Sequence, residues 1–239
     1  MIEPALSLFV DRESVNEALV INDEGKVLCF PCLEGGLEKA KVITYLTLDL
    51  VKDDALEPAK DHLIFYFSKV NMLVVPLSYD RALTLYLNPK YNAEKLARDF
   101  IEIINKVREL GGLKNLGDGG RVDDEEGVGA SFSPTHIAIL KTLVKSGLIP
   151  RAILVDLDNG VYSYPLPPRV SAKLINKMIT FHGEFYEELR YKVIRGIVGK
   201  QHILVIPIGT RYVIIGEVGA NISTMAVLSR VKLSSGFTQ

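Results

Sequence analysis

Apolar residues in this chain alternate between helical and strand-like spacing, and the two halves present these spacings in the same order. In the second half Ser133-Pro134-Thr135 opens the pattern with a good N-cap followed by Pro at the first helical position. Ile137, Leu140, Val144 and Leu148 then recur at helical spacing, and Gly147 ends the run. Ala152 to Asp156 predicts a strand, Asp158-Asn159-Gly160 a tight turn, and Val161 to Tyr164 the returning strand of a hairpin. Pro167-Pro168 is expected to open a long helix. In it Val170, Leu174, Met178, Phe181, Phe185 and Leu189 form one apolar stripe, and Ile175, Ile179 and Tyr186 a second. So wide an apolar arc gives the helix two surfaces to cover. Strands are predicted over Val193 to Val198, Ile203 to Ile208 and Tyr212 to Val218, with a closing helix from Asn221 or Ser223.

The first half repeats this order. An apolar segment from Pro4 to Val10 stands where the first helix falls in the second half, and a hairpin of Ala18 to Asn22 and Val27 to Pro31 follows around Asp23-Glu24-Gly25. A helix is expected from Leu37 to about Leu56, then strands at Leu63 to Phe67, Met72 to Leu77 and Ala82 to Leu87. Asn92 caps a closing helix that carries Leu96, Phe100, Ile103, Ile104 and Val107. The correspondence extends to single residues. A shift of 134 places lays Ala18-Leu19-Val20-Ile21 on Ala152-Ile153-Leu154-Val155 and Pro31 on Pro165, and a shift of 131 lays Met72 to Leu77 on Ile203 to Ile208. Pro76 thereby meets Pro207, and both are expected at strand ends because Pro cannot donate to a ladder. The repeat predicts a first domain over 1–110, a glycine- and acid-rich flexible linker over 111–131, and a second domain over 132–239.

Composition narrows the function classes. A formal net charge of -1 with lysines interleaved among acids leaves no basic face for nucleic acid. The longest apolar runs fall far short of the ~20 residues that cross a bilayer. Met1-Ile2-Glu3-Pro4 has no basic stretch ahead of an apolar one, so no secretory signal is expected and a cytoplasmic location is the default.

The doubled order, carried by Ala152-Ile153-Leu154-Val155-Asp156 ahead of Asn159-Gly160 and by Leu204-Val205-Ile206-Pro207-Ile208-Gly209 ahead of Arg211-Tyr212-Val213-Ile214-Ile215-Gly216, resembles the roadblock family. That family is named after a dynein light chain and has a profilin-like fold. The resemblance covers most of the second half and extends more loosely to the first, which lacks counterparts of Gly196, Gly209 and Gly216. It implies an α+β protein of two tandem domains. Each would hold a five-stranded antiparallel sheet, with the long middle helix on one face and the terminal helices on the other. Such domains pair edge to edge, which here implies an internal pseudo-dimer or a homodimer and removes an exposed edge strand. It also implies a non-enzymatic binding platform or regulator for a small Ras-like GTPase, contacted through the outward side of the middle helices. The polar positions there are Lys41, Asp49 and Lys52 in the first copy and Lys173, Lys177, Glu184 and Glu188 in the second.

No constellation in the chain demands catalysis, a cofactor or a metal. There is no phosphate-binding loop, no His pair at metal spacing and no nucleophile elbow. His62, His136, His182 and His202 fall on different elements and are expected at the surface or rim. Asp123-Asp124-Glu125-Glu126 lacks the alternating spacing of a calcium loop. Cys29-Phe30-Pro31-Cys32 admits several chemistries: two incidental cysteines, a disulfide, a redox dithiol or half of a zinc site. The second copy has Ser163 and Leu166 at these places, so the scaffold does not require thiols. A rival function is a small-molecule sensor with a cavity lined by Tyr162, Tyr164, Phe181 and Phe185, although these residues also sit at core spacing.

Overall fold

The computed structural model describes residues 6–33, 36–110 and 134–235, with backbone alone at 107–110 and 234–235. The expected linker, its acidic run, Pro4 and the Ser133 cap lie outside the described residues. The chain divides into two compact units, Met1–Arg121 and Val122–Gln239.

Unit 1 runs β1 (Val15–Asn22), β2 (Val27–Phe30), α1 (Leu37–Lys52), β3 (His62–Tyr66), β4 (Asn71–Pro76), β5 (Arg81–Leu87) and α2 (Ala93–Leu110). Its strands pair antiparallel in the order β2-β1-β5-β4-β3. Unit 2 runs α3 (Pro134–Lys145), β6 (Arg151–Asp156), β7 (Gly160–Tyr164), α4 (Ala172–Leu189), β8 (Val193–Val198), β9 (Gln201–Ile208), β10 (Tyr212–Glu217) and α5 (Thr224–Ser235). Its strands pair antiparallel in the order β7-β6-β10-β9-β8, the same path through the sheet. The protein is thus mixed α+β with antiparallel strands.

Strand register preserves the offsets seen in the sequence. Ala18 faces Phe30 and Ala152 faces Tyr164; Val74 faces Thr84 and Val205 faces Ile215. Pro76 and Pro207 pair with Ala82 and Val213 but lie beyond the last residues that pair with β3 and β8, where a missing N–H breaks nothing on that side.

Local chemistry sets the helix ends. Helix α1 stops at Lys52, short of Leu56. Asp54 takes a left-handed conformation (φ 57°), and the N–H groups of Ala55 and Asp54 return to the carbonyls of Leu50 and Val51 at 2.8 and 3.0 Å. Helix α4 begins at Ala172, not at Pro167-Pro168, because the Ser171 side chain accepts the N–H of Leu174 at 3.2 Å. Asn92 caps α2 as expected, accepting from the Lys95 N–H at 2.9 Å.

Helix faces follow from strand alternation. The hydroxyls of Thr44 on α1 and Thr84 on β5 lie 2.9 Å apart, so α1 covers the face to which Thr84 and Tyr86 point. In unit 2, α3 lies on the Tyr164 and Tyr212 face: Lys141 sits over the Tyr164 ring at 5.6 Å, and the His136 ring lies 4.0 Å from that of Tyr212. Helix α4 is on the other face, where its Gly183 lies against Leu157. The buried side of α3 carries Ile139, Leu140 and Leu143, rotated from the expected stripe of Ile137, Leu140, Val144 and Leu148.

The copies part at their first helix. Where unit 2 has α3, the described part of unit 1 has only a 3-10 turn at Ser7–Phe9. Asp11 ends the turn by accepting the N–H groups of Glu13, Ser14 and Val15. Part of the sheet face that α3 occupies in unit 2 is uncovered in the described part of unit 1, where a hollow of about 270 Å³ is lined by Val20, Asn22, Lys26, Val27, Leu28 and Arg81, while Ala18, Leu83 and Leu85 on the same face are buried.

Candidate functional site

The middle helices supply the candidate contact surface. On α4, Lys173, Glu184 and Glu188 are exposed and Lys177 is half-buried; steps of four and seven residues place all four along one side. On α1, Lys41 is half-buried and Asp49 and Lys52 are exposed, and Tyr45 stands among them, 37% exposed. Each copy therefore brings its candidates onto one helix side.

The two helices differ in how their charges are arranged. In α1 both signs stand at each end, Glu38 with Lys39 and Lys41 at the start and Asp49 with Lys52 at the end. These charges are also engaged locally: Lys41 pairs with Glu38 at 3.1 Å and Lys52 with Asp23 at 3.2 Å. Helix α4 has no acid in its first turn and no base in its last. Lys173 stands at its start, and Glu184, Glu187 and Glu188 stand toward its end. The dipole opposes this order by a few tenths of a kcal/mol per charge, about 0.3–1 at most for exposed groups.

On the buried side of α4, His182 departs from expectation. It is fully buried at 0% exposure, not on the surface or rim. Its Nδ1 lies 2.9 Å from the Tyr191 hydroxyl, and the rings of Tyr186 and Tyr191 flank it. Burial pushes its pKa down to about 4, against the pull of the Gly209 and Thr210 backbone toward the charged form. The signal was present in the sequence, since Leu174, Met178 and His182 share one four-residue step. His62 is also buried, at 3% exposure.

The aromatics proposed for a sensor cavity are not brought together. Tyr164 lies under α3, whereas Phe181 belongs to α4 on the other sheet face and packs with Phe185 and Tyr191. At the β6 end, Arg211 grips the buried Asp156 with two hydrogen bonds of 2.7 and 2.8 Å and reaches Asp158 at 3.0 Å. The guanidinium holds the Asp156 carboxyl well below the usual carboxylate range, helped by the Asn159 amide at 2.7 Å. This cluster closes the β6–β7 turn, and its polar atoms are directed at one another.

In unit 1 Cys29 and Cys32 are joined by a disulfide, their Cα atoms 5.1 Å apart. Cys29 is half-buried in the outer part of the unit's sheet and Cys32 is exposed beyond the strand. Among the described residues no group of three or more His, Cys, Asp or Glu is placed to hold a metal ion, and no helix is long and apolar enough to cross a membrane. Compared with protein-family models and with curated proteins, the chain matches none.

Proposed function

We propose that the protein is a non-enzymatic, cytoplasmic binding platform for a small Ras-like GTPase, built from two roadblock-like units and contacting its partner through the outward side of α4. The observation that carries this is the reversed charge order of α4. A helix that opens on Lys173 and Lys177 and carries Glu184, Glu187 and Glu188 in its last turns sets these charges against its own dipole, with Arg190 at the C-cap the base beyond them, whereas its counterpart α1 mixes both signs at each end. Local rules are broken most often where function needs the residue. The resulting surface is positive at one end and negative at the other, which suits a partner recognised in a single orientation by complementary charge. The common path of the two sheets, with a long helix between the second and third strands of each, supports the roadblock-like assignment.

The test is affinity capture from native lysate, with GDP-loaded and GTP-loaded conditions compared by mass spectrometry. A GTPase enriched in one nucleotide state is the expected outcome, and absence of any GTPase in both sinks the idea. Lys173→Glu with Lys177→Glu is expected to abolish capture. Lys173→Glu places an acid where the dipole favours it, by about 0.5 kcal/mol, which offsets the like-charge pair created with position 177, so the variant should keep its fold in thermal unfolding. Capture that survives the double reversal removes α4 from the contact.

A further inference from the structure

The Cys29–Cys32 bridge is placed unlike a structural staple. It closes a ring of only four residues, which restrains little of the unfolded chain, and the second copy folds with Ser163 and Leu166 in its place. Its outer sulfur belongs to an exposed residue. These are the only two cysteines in the chain, so the bridge has no internal thiol with which to reshuffle.

The segment beyond the bridge is pinned at two points. The Leu33 N–H donates to the Glu17 carboxylate at 3.0 Å, and the Tyr86 hydroxyl donates to the Gly36 carbonyl at 2.6 Å. Gly36 is the residue from which α1 starts. It sits in the left-handed region (φ 95°), makes no side-chain cap, and its carbonyl also accepts the Ala40 N–H at 3.0 Å. Glu17 and Tyr86 face each other across β1 and β5, on the sheet face that α1 covers. Glu17 is buried, at 4% exposure, and burial raises its pKa while the Leu33 N–H draws it back. The hydrogen bond from Leu33 therefore favours the charged form of a carboxylate that burial disfavours.

We infer that Cys29–Cys32 is an exchangeable redox site, with a protein dithiol of the thioredoxin class as its reductant, and that its state governs the pinning of Leu33 and Gly36 at the start of α1. A thiolate of the dithiol attacks the exposed Cys32 sulfur, forming a mixed disulfide and releasing Cys29 as the thiolate, which takes up a proton. The second thiol of the dithiol then attacks its own sulfur in the mixed disulfide and releases Cys32. Two electrons and two protons pass to this chain, and the dithiol leaves as its disulfide. With the ring open, Cys32 no longer fixes the direction of the chain into Leu33. Loss of the Leu33 hydrogen bond leaves Glu17 buried without that donor, which favours its protonated form.

The test uses the full-length oxidised chain with reduced thioredoxin, its reductase and NADPH, and tris(carboxyethyl)phosphine in parallel. Maleimide mass shifts count the thiols released under native conditions, and hydrogen exchange is read at the Leu33 amide and the first turn of α1. The expected result is two thiols released without denaturant and exchange faster by at least about tenfold at those amides, with β4 and β5 unchanged. Reoxidation should restore protection. The Cys29→Ser, Cys32→Ser double variant should show the fast exchange without any reductant. A bridge that opens only in denaturant, or one that opens with no change at Leu33 and α1, overturns the inference. A bridge opened by the phosphine but not by thioredoxin overturns the assigned reductant. No GTPase enters the measurement, so its outcome is independent of the binding platform proposed above.

Discussion

His182 and Asp156 both link stability to acid, each being held in its deprotonated form, neutral for the imidazole and anionic for the carboxylate. The neutral form of His182 is the one its apolar surroundings accept, and its pKa falls from the ordinary 6.5 to about 4 on folding. The unfolded chain therefore binds the proton first, and stability is lost as pH falls from about 6.5 to about 4, by up to about 3 kcal/mol. Asp156 is depressed by Arg211, so its contribution is complete above the usual carboxylate range and is lost only below about 4. Denaturant midpoints measured between pH 7 and pH 4 should report His182 before Asp156 enters. The His182→Phe, Tyr191→Phe pair removes both partners of one buried hydrogen bond and should flatten that slope; a slope of unchanged size would assign it elsewhere. Gly216 is a second residue whose role is steric. A methyl group added there runs into Ile149, so Gly216→Ala should cost about 1–3 kcal/mol, with Ile149→Val restoring part of it in thermal unfolding.

Helices and strands were legible to different degrees. Strand positions follow from short apolar runs and their turn residues, while the register between strands is seen only in the folded sheets. Helix ends were less legible. Pro167-Pro168 looked like a start, but the Ser171 cap decides where α4 begins; Leu56 looked like a continuation, but the left-handed Asp54 ends α1 first. The stripe of α3 differs from the expected one because its apolar arc is wide, with Ile137, Ile139, Leu140, Leu143 and Val144 all available to the core; Leu140 is shared, while Ile139 and Leu143 are buried instead of Ile137 and Val144. Packing chose among them. At this scale the caps are testable: Ser171→Ala should lower stability by about 1 kcal/mol in chemical denaturation, since it leaves the Leu174 N–H without its acceptor.

Across the two units, one scaffold is used twice with different attachments. Unit 2 covers its α3 face; the described part of unit 1 leaves the corresponding hollow at Val20, Leu28 and Arg81 open. Unit 1 carries the disulfide; unit 2 carries the charge-segregated helix α4 and the buried His182–Tyr191 pair. If α4 is the contact helix, reversing Lys41 and Lys52 on α1 should leave GTPase capture within about twofold, since those lysines are engaged by Glu38 and Asp23 and exposed pairs contribute little. Loss of capture equal to that of the α4 reversal would place both helices in the contact. The repeat, the order of elements from the first hairpin of each copy onward, and the candidate helix sides could be read from the amino-acid sequence, because each is written in local periodicity and in offsets that recur between the copies; the first helix expected in unit 1 is a 3-10 turn instead. The folded chain was needed to establish that Cys29 and Cys32 are bonded, that Leu33 and Gly36 are held by Glu17 and Tyr86, that His182 is buried, and that Tyr164 and Phe181 lie on opposite faces of a sheet. Apart from the bridge itself, those contacts join residues from separate elements, and no periodicity along one element specifies which side chains of another will meet it.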